Sequence, residues 1–412
     1  MQLLLRGGIA VDTDPVRATT ADILIDDGRI AAVGTDLAVG ADVEVIDAGG
    51  MLVLPGFVDT HRHTWQAGIR AIGPDISFAG YLDRVLGRFA PRYRPADVYA
   101  GTLAGALECL DAGITTLVDW SHIQHTPDHT AAAVEALRHS GIRAVFGYCS
   151  TSPSATVVEE HMGHDLVTMA IAPYGPEIVD EAVALDEWRL AKELDLPVTV
   201  HMGGHGAASA ERGMDFLVRN GLLNPRTSYV HGNHYTDDAL RRIAGSGGAL
   251  SVSPLVEVEL GLGVPVTGRA LAAGAPTGLG ADTVVSGPGD MFSLMRAAYA
   301  LERARPNPEL TTRDVLHAAT AGGARTAGLG GVVGTLGVGR QADVVLLRTD
   351  LLGVAPAHDP AGAVVLSADT RAVDTVIVAG RVVKRGGRLL HHDVAKVLTA
   401  LADSAERLVV PA

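Results

Sequence analysis

The stretch MLVLPGFVDTHRHTWQ, Met51–Gln66, is an apolar run that ends in two histidines separated by one arginine. In an extended strand, residues i and i+2 share a face. His61 and His63 are therefore expected to aim two imidazoles at one point, with Arg62 turned the other way. What that point holds depends on what else the chain brings to it.

Downstream of this stretch the texture alternates. Short apolar runs with strand character occur at ITTLVD (114–119), IRAVFGY (142–148), LVTMAIAP (166–173), PVTVH (197–201), TSYVH (227–231), GALSVSP (248–254) and PTGLGAD (276–282). With LVLPGFVD (52–59) they make eight. Helical patterns such as ADVYAGTLAGALECLDAG, TAAAVEALRHSG, DEWRLAKELD and TDDALRRIAGSG lie between them, many closing on Gly. Eight strands alternating with helices predict an α/β fold, a TIM (β/α)8 barrel. A doubly wound sheet would carry G-x-G-x-x-G after its first strand, and none follows here.

The two ends of the chain differ from the middle. MQLLLRGGIAVD, ADILIDDGRIAAVG and VEVIDAGG near the start, and RQADVVLLR and VDTVIVAGRVVKRGG near the end, read as short strands joined by Asp-Gly and Gly-Gly turns. They predict a small β-sandwich built from both termini. The expected organisation is residues 1–54 for its N-terminal part, 55–335 for the barrel, and 336–412 for its C-terminal part and a tail.

Composition narrows the function classes. The apolar fraction of 47% and charged fraction of 19% describe a chain with a well-buried core. A formal charge of −14 argues against nucleic acid or an anionic membrane surface as partner, since both demand clustered Lys and Arg. Two cysteines, Cys109 and Cys149, exclude a thiolate zinc site, and no disulfide is expected between them. No apolar run has the length of a membrane span, and no secretory signal is legible, so a cytoplasmic protein is expected.

Barrel enzymes carry their chemistry at the C-terminal ends of the strands. Those ends bring His61 and His63 from strand one, Asp119 from strand two, His201 from strand five, His231 from strand six and Asp282 from strand eight. Imidazoles and a carboxylate can enclose one divalent cation, leaving a position for water, which the metal would activate. Each histidine alone is an ordinary half-buried polar residue, and the chain has sixteen of them. Their placement at successive strand ends carries the inference.

At these residues the sequence resembles the amidohydrolase superfamily. PGFVDTHRH, VTVH, YVHGNH and GADTVVSGPGDMF resemble its motifs on strands one, five, six and eight, and HAATAGGARTAGL, GVGRQADVVLL and VIVAGRVV its return to the sandwich. Within it, the nearest branch is the aminohydrolases resembling methylthioadenosine/S-adenosylhomocysteine deaminases and triazine hydrolases. The resemblance implies that His61, His63, His201 and Asp282 bind one metal. His231 would hydrogen-bond the hydrolytic water or the substrate, and Asp282 would double as general base. Zinc suits so histidine-rich a donor set, with iron or manganese as alternatives. A carboxylated lysine bridging two metals is not expected, because Lys192, Lys384 and Lys396 are the only lysines and none ends a barrel strand.

One position departs from the branch. Its strand-five histidine continues as H-x-x-E, whereas here HMGGHG puts Gly204 where the glutamate would move a proton to the ring nitrogen. His205, His234, and Glu257 with Glu259 are the candidate replacements. Glu257 and Glu259 follow strand seven, where relatives carry Asn and Lys, and period-two spacing would place both carboxylates on one face. Trp65, Gln66, Trp120, His122, His234 and Glu259 are expected to contact substrate, with Tyr81, Phe89 and Tyr93 adding an aromatic wall. Asp119 is expected beneath the ligands, orienting an imidazole. The reading is a mononuclear metal-dependent hydrolase of C–N bonds in a small nitrogen heterocycle, releasing ammonia, and assembling as a homo-oligomer. The alternative keeps the metal for cyclic-amide opening, dehalogenation or a lyase or cyclisation step. A non-catalytic ligand-binding barrel is the third reading.

Overall fold

The structure is a computed structural model and describes residues 2–306 and 308–409. Eight parallel strands, Phe57–Arg62, Ile114–Ser121, Arg143–Tyr148, Val167–Ile171, Val198–Met202, Thr227–His231, Ala249–Val252 and Thr277–Leu279, pair side by side in chain order. Strands covered on both faces must be apolar on both, and these are buried along nearly their whole length. The ring closes where Arg62 pairs with Asp282. There Asp282 N–H donates to the His61 carbonyl at 2.8 Å and His63 N–H donates to the Asp282 carbonyl at 2.9 Å. The glycines of PTGLGAD permit this approach. A Cβ at Gly278 would lie 2.3 Å from Thr60 Cγ2, and one at Gly280 would lie 2.9 Å from the His61 backbone.

The run at 52–59, expected as one strand, is two. Met51–Pro55 pairs antiparallel with Val344–Arg348 in a second sheet, while Phe57–Arg62 begins the barrel. Gly56 makes the joint, because any side chain there would collide with Thr115. The second sheet has nine strands, five from the N-terminal part and four from Val344 onward. It is one continuous mixed sheet curled on itself. Strands far apart in its order meet at their turns, where Ala342 N–H donates to the Gly28 carbonyl at 2.8 Å and Gly380 N–H to that of Ala342 at 3.0 Å. Leu3, Ile23, Ile25, Val53, Val344, Leu346 and Ile377 fill the core inside the curl. A buried ion pair fastens it to the barrel, with Arg143 Nε and Nη2 each 2.9 Å from Asp343. Lys384 lies at the same junction, donating to the Asp111 carbonyl at 2.6 Å, far from the strand ends.

Two segments build the barrel mouth. The first strand-to-helix connection coils through the turns Thr64–Ile69, Phe78–Tyr81 and Leu82–Phe89 before the helix Pro95–Asp111. The last helix, Val394–Val409, leaves the curled sheet and packs on that barrel helix, where buried Asp97 accepts from Ser404 Oγ at 2.8 Å and from the Arg407 guanidinium. Cys109 and Cys149 are buried free thiols. Among the described residues, no helix is long and apolar enough to cross a membrane.

Candidate active site

Barrel closure sets the geometry of the donors. His61 and His63 stand either side of the backbone bonds that join strand one to Asp282, with ring centroids 4.7 Å apart. Asp282 Oδ1 lies 3.5 Å from His61 Nε2 and 3.2 Å from His63 Nε2. His201 Nε2 is 3.1 Å from His61 Nε2. Four ligands tetrahedral about zinc, at ordinary zinc–nitrogen lengths, have donor atoms about 3.3 Å apart. These three spacings are close to that edge, and the donors fall into two trios, His61 with His63 and His201, and His61 with His231 and Asp282. Asp282 Oδ2 points instead to His231 Nε2, 3.9 Å away. His231 and Asp282 adopt left-handed backbone, φ 83° and 60°, although neither is glycine. Such conformations cost roughly 1–3 kcal/mol each and persist where surrounding structure imposes them.

The protonation states favour a cation. Burial pushes the His61 imidazole down to about 4, against the pull of Asp282. Burial also holds His201 well below its ordinary value. Both are therefore neutral donors at pH 7, the form a metal requires. Burial would raise Asp282, but its contacts with His61 and His63 outweigh that and hold it well below the usual carboxylate range. His63 Nδ1 sits 2.6 Å from the Trp120 carbonyl, so that nitrogen donates there and Nε2 is the atom turned towards Asp282. The residues present thus fit one divalent ion held by His61, His63, His201 and Asp282. Among the described residues, His61 Nδ1 is buried without a partner.

His231 has a separate support. Its Nδ1 meets Glu257 Oε1 at 3.2 Å, and the same carboxylate accepts from Ser253 N–H at 2.7 Å and Asn233 Nδ2 at 2.9 Å. Burial would lower this imidazole. The bond to Glu257 and the charge of Asp282 outweigh burial and raise it. The same contacts favour the imidazolium, the form that carries a proton on Nε2 as well as on Nδ1.

These groups open on a cavity of about 330 Å3, lined by Phe78, Tyr81, Leu86, Trp120, Tyr174 and Ile178 together with the polar centre. That is near the lower end of small-molecule sites, roughly 300–1,000 Å3. A larger cavity, about 490 Å3, lies between Val145, Thr168, Val198 and Thr227 at the strand starts. The chemistry of barrels belongs to the other mouth.

Several expected contacts fall elsewhere. Trp120 and His122 line the cavity, His122 stacked on His63 at 4.4 Å. Trp65 is fully buried behind them, its indole N–H donating to His122 Nδ1 at 3.2 Å and its ring packed edge-on against Tyr93. Gln66 is also a layer back, donating to Tyr81 Oη at 2.7 Å and accepting from Thr283 Oγ1. Of the expected aromatic wall only Tyr81 reaches the cavity. His234 turns away beside Gly263, its backbone N–H bonded to the Gly203 carbonyl. Glu257 and Glu259 do not share a face, because Val256–Glu259 is a helical turn and not a strand. Glu259 is exposed outside the cavity, and Glu257 is buried behind His231, bonded to that imidazole and not lining the cavity. Asp119 accepts from Thr64 N–H at 3.1 Å and Thr64 Oγ1 at 2.8 Å, bracing the residue after His63 where an imidazole contact was expected.

His205 does line the cavity, paired through Nδ1 with Glu177 Oε2 at 3.2 Å. Glu177, from YGPEIVD after strand four, has no exposed side-chain surface and was missed in the sequence. Only the placement of a charged residue one short loop after a strand end pointed to it.

The chain is similar over nearly its whole length to known proteins. The 5-methylthioadenosine/S-adenosylhomocysteine deaminase of Desulforudis audaxviator (strain MP104C) is 31% identical, over 99% of both chains. The 5'-deoxyadenosine deaminase of Methanothermobacter thermautotrophicus is 30% identical over 94% of both. Among solved structures, an adenosine deaminase from Xanthomonas campestris with bound zinc superposes with a TM-score of 0.91 at 24% identity, covering 98% of both chains. An atrazine chlorohydrolase from Arthrobacter aurescens TC1, complexed with zinc, gives 0.88 at 24%, covering 98% of this chain and all of that one. At these identities the structural likeness speaks for the fold. The amidohydrolase family profile matches residues 52–383, from the last strand before the barrel to the strands that return to the curled sheet, and the chain belongs to that family of metal-dependent hydrolases.

Proposed function

We propose that this amidohydrolase is a hydrolytic deaminase of a small amino-substituted nitrogen heterocycle, an aminopurine nucleoside in the first instance, with one zinc ion as its metal. The carrying observation is the donor cluster at the floor of a cavity walled by flat aromatic and aliphatic side chains, where His61 lies with His63 and His201, and again with His231 and Asp282, each trio within 4.8 Å. The deaminases named above, similar over nearly the full length, support the nucleoside as the first substrate to try.

His61, His63, His201 and Asp282 would hold the ion, which when bound lowers the pKa of a coordinated water towards neutrality. Asp282 would take a proton from the attacking oxygen and return it to the leaving nitrogen. His231, held protonated by Glu257, donates from Nε2 to the charge that develops at the attacked carbon. Trp120, Tyr81 and Phe78 offer faces for a planar ring.

The test combines metal analysis with an ammonia assay on the zinc-loaded enzyme against 5'-methylthioadenosine, S-adenosylhomocysteine, 5'-deoxyadenosine, free aminopurines and aminopterins. About one metal per chain and ammonia from at least one of them is the expected result. Gly204 favours a second reading, in which the same centre removes a halide or opens a cyclic amide, because neither needs a carboxyl at that position. Halide or ring-opened product without ammonia would select it.

A further inference from the structure

We infer that Glu177 and His205, brought together from the connections after the fourth and fifth barrel strands, form the proton-transfer pair that stands in for the glutamate absent at Gly204. His205 Nε2 is the catalytic atom and Glu177 the positioning residue. The identity of the proton's destination rests on the deaminase reading; the arrangement of the pair does not.

The pair is built into the fold. Glu177 Oε1 accepts the Gly203 N–H at 2.7 Å and Oε2 faces His205 Nδ1 at 3.2 Å. A helix glycine makes room for it, since a Cβ at Gly213 would lie 2.9 Å from Glu177 Cγ. An ionised carboxylate only accepts, so the ring proton that faces it sits on His205 Nδ1, and in the neutral imidazole the lone pair is then on Nε2. His205 lines the cavity, and no protein group among the described residues pairs with Nε2. The site of the missing carboxyl is immediately adjacent. A Cβ at Gly204 would touch the His231 ring at 3.4 Å, on the same turn of chain that Glu177 braces through Gly203.

The balance of the step follows. One proton of the attacking water passes to His205 Nε2 and on to the ring nitrogen beside the attacked carbon. The oxygen pair forms the C–O bond as the C=N π pair moves to that nitrogen. The second water proton travels by Asp282 to the exocyclic amine, whose C–N bond breaks with its pair as the oxygen pair freed by that proton closes the C=O bond. Water enters and ammonia leaves. An orienting carboxylate that fixes the reactive tautomer is what a general base of this kind needs.

The test is nitrogen-15 NMR of histidine-labelled, zinc-loaded protein, with the His205 signals assigned by their loss in His205→Ala. The expected result is protonated Nδ1 and unprotonated Nε2 in the wild type, reversed in Glu177→Gln, whose amide donates to Nδ1. A wild-type His205 protonated at Nε2 and bare at Nδ1 overturns the pair. On a substrate that releases ammonia, each single variant is expected to lower kcat about 10²–10³-fold with KM and zinc content unchanged. The double variant should fall no further, because the two act as one unit. Losses that multiply, or a Glu177→Gln enzyme within threefold of wild type, overturn the assignment. Silence of the wild-type enzyme towards every aminopurine overturns the deaminase reading alone, and the nitrogen shifts decide the pair in either case.

Discussion

The two walls of the cavity are built by different means. One consists of His61, His63, His201 and Asp282, all at barrel strand ends, where ladder hydrogen bonds and the closing contact between strands one and eight fix the donor atoms. The other consists of Phe78, Tyr81 and Leu86 from the first connection, and Glu177 and His205 from the fourth and fifth. The strand wall has little freedom, since its side-chain directions follow from a period of two. The loop wall depends on which turn of which connection folds inward. The comparison teaches that the barrel fixes the candidate metal donors rigidly, while the loops shape the rest of the cavity and carry the proposed proton pair.

The largest expected effect lies on the strand wall. His61→Ala and Asp282→Asn should each abolish stoichiometric metal binding and lower turnover about 10⁴-fold, measured by elemental analysis and ammonia release. Retained metal with retained activity would break the claim that this wall is the catalytic core. Next comes its support. Glu257→Gln removes the charge that raises His231 and should lower activity about 10- to 100-fold while one metal per chain is kept. Loss of the metal as well would place His231 among the ligands.

On the loop wall the effect should be smaller and of another kind. Leu86→Ala should raise KM by about tenfold with kcat unchanged, as expected for contacts made equally in ground and transition states. An equal fall in kcat would show that the first connection positions the reacting groups. The smallest effect concerns the docking of the last helix behind that connection. Arg407→Ala should cost about 1 kcal/mol and speed hydrogen exchange in 394–409. Burial would raise Asp97, but its bonds with Arg94, Ser404 and Arg407 outweigh it and lower the carboxyl. Its stabilising contribution is therefore present above the unfolded value of 3.8 and lost as pH falls through the lower folded value. The difference between wild type and Arg407→Ala should close in acid. A gap that stayed constant down to pH 2 would remove Asp97 from the account.

The legibility of the site follows the same division. His61, His63, His201, His231 and Asp282 could be picked from strand ends because a strand side chain's direction is fixed by its neighbours' pairing. Trp65, Gln66 and His234 were placed in the cavity from proximity in sequence alone. They lie a layer back because the chain turns into helical coils directly after His63 and breaks direction after His231. The period-two reading of Glu257 and Glu259 failed for the same reason, since a single helical turn replaced the strand it assumed.

The sequence by itself determined the barrel, the sheet drawn from both termini and the five polar residues at the strand ends, because periodicity and strand-end position are local properties. Only the tertiary structure decided that Gly56 divides one apolar run between two sheets. It also decided that Glu257 serves His231, and that Glu177 meets His205 across 28 residues of chain. Each of these depends on which segments become neighbours when the ring closes, and no local pattern encodes that.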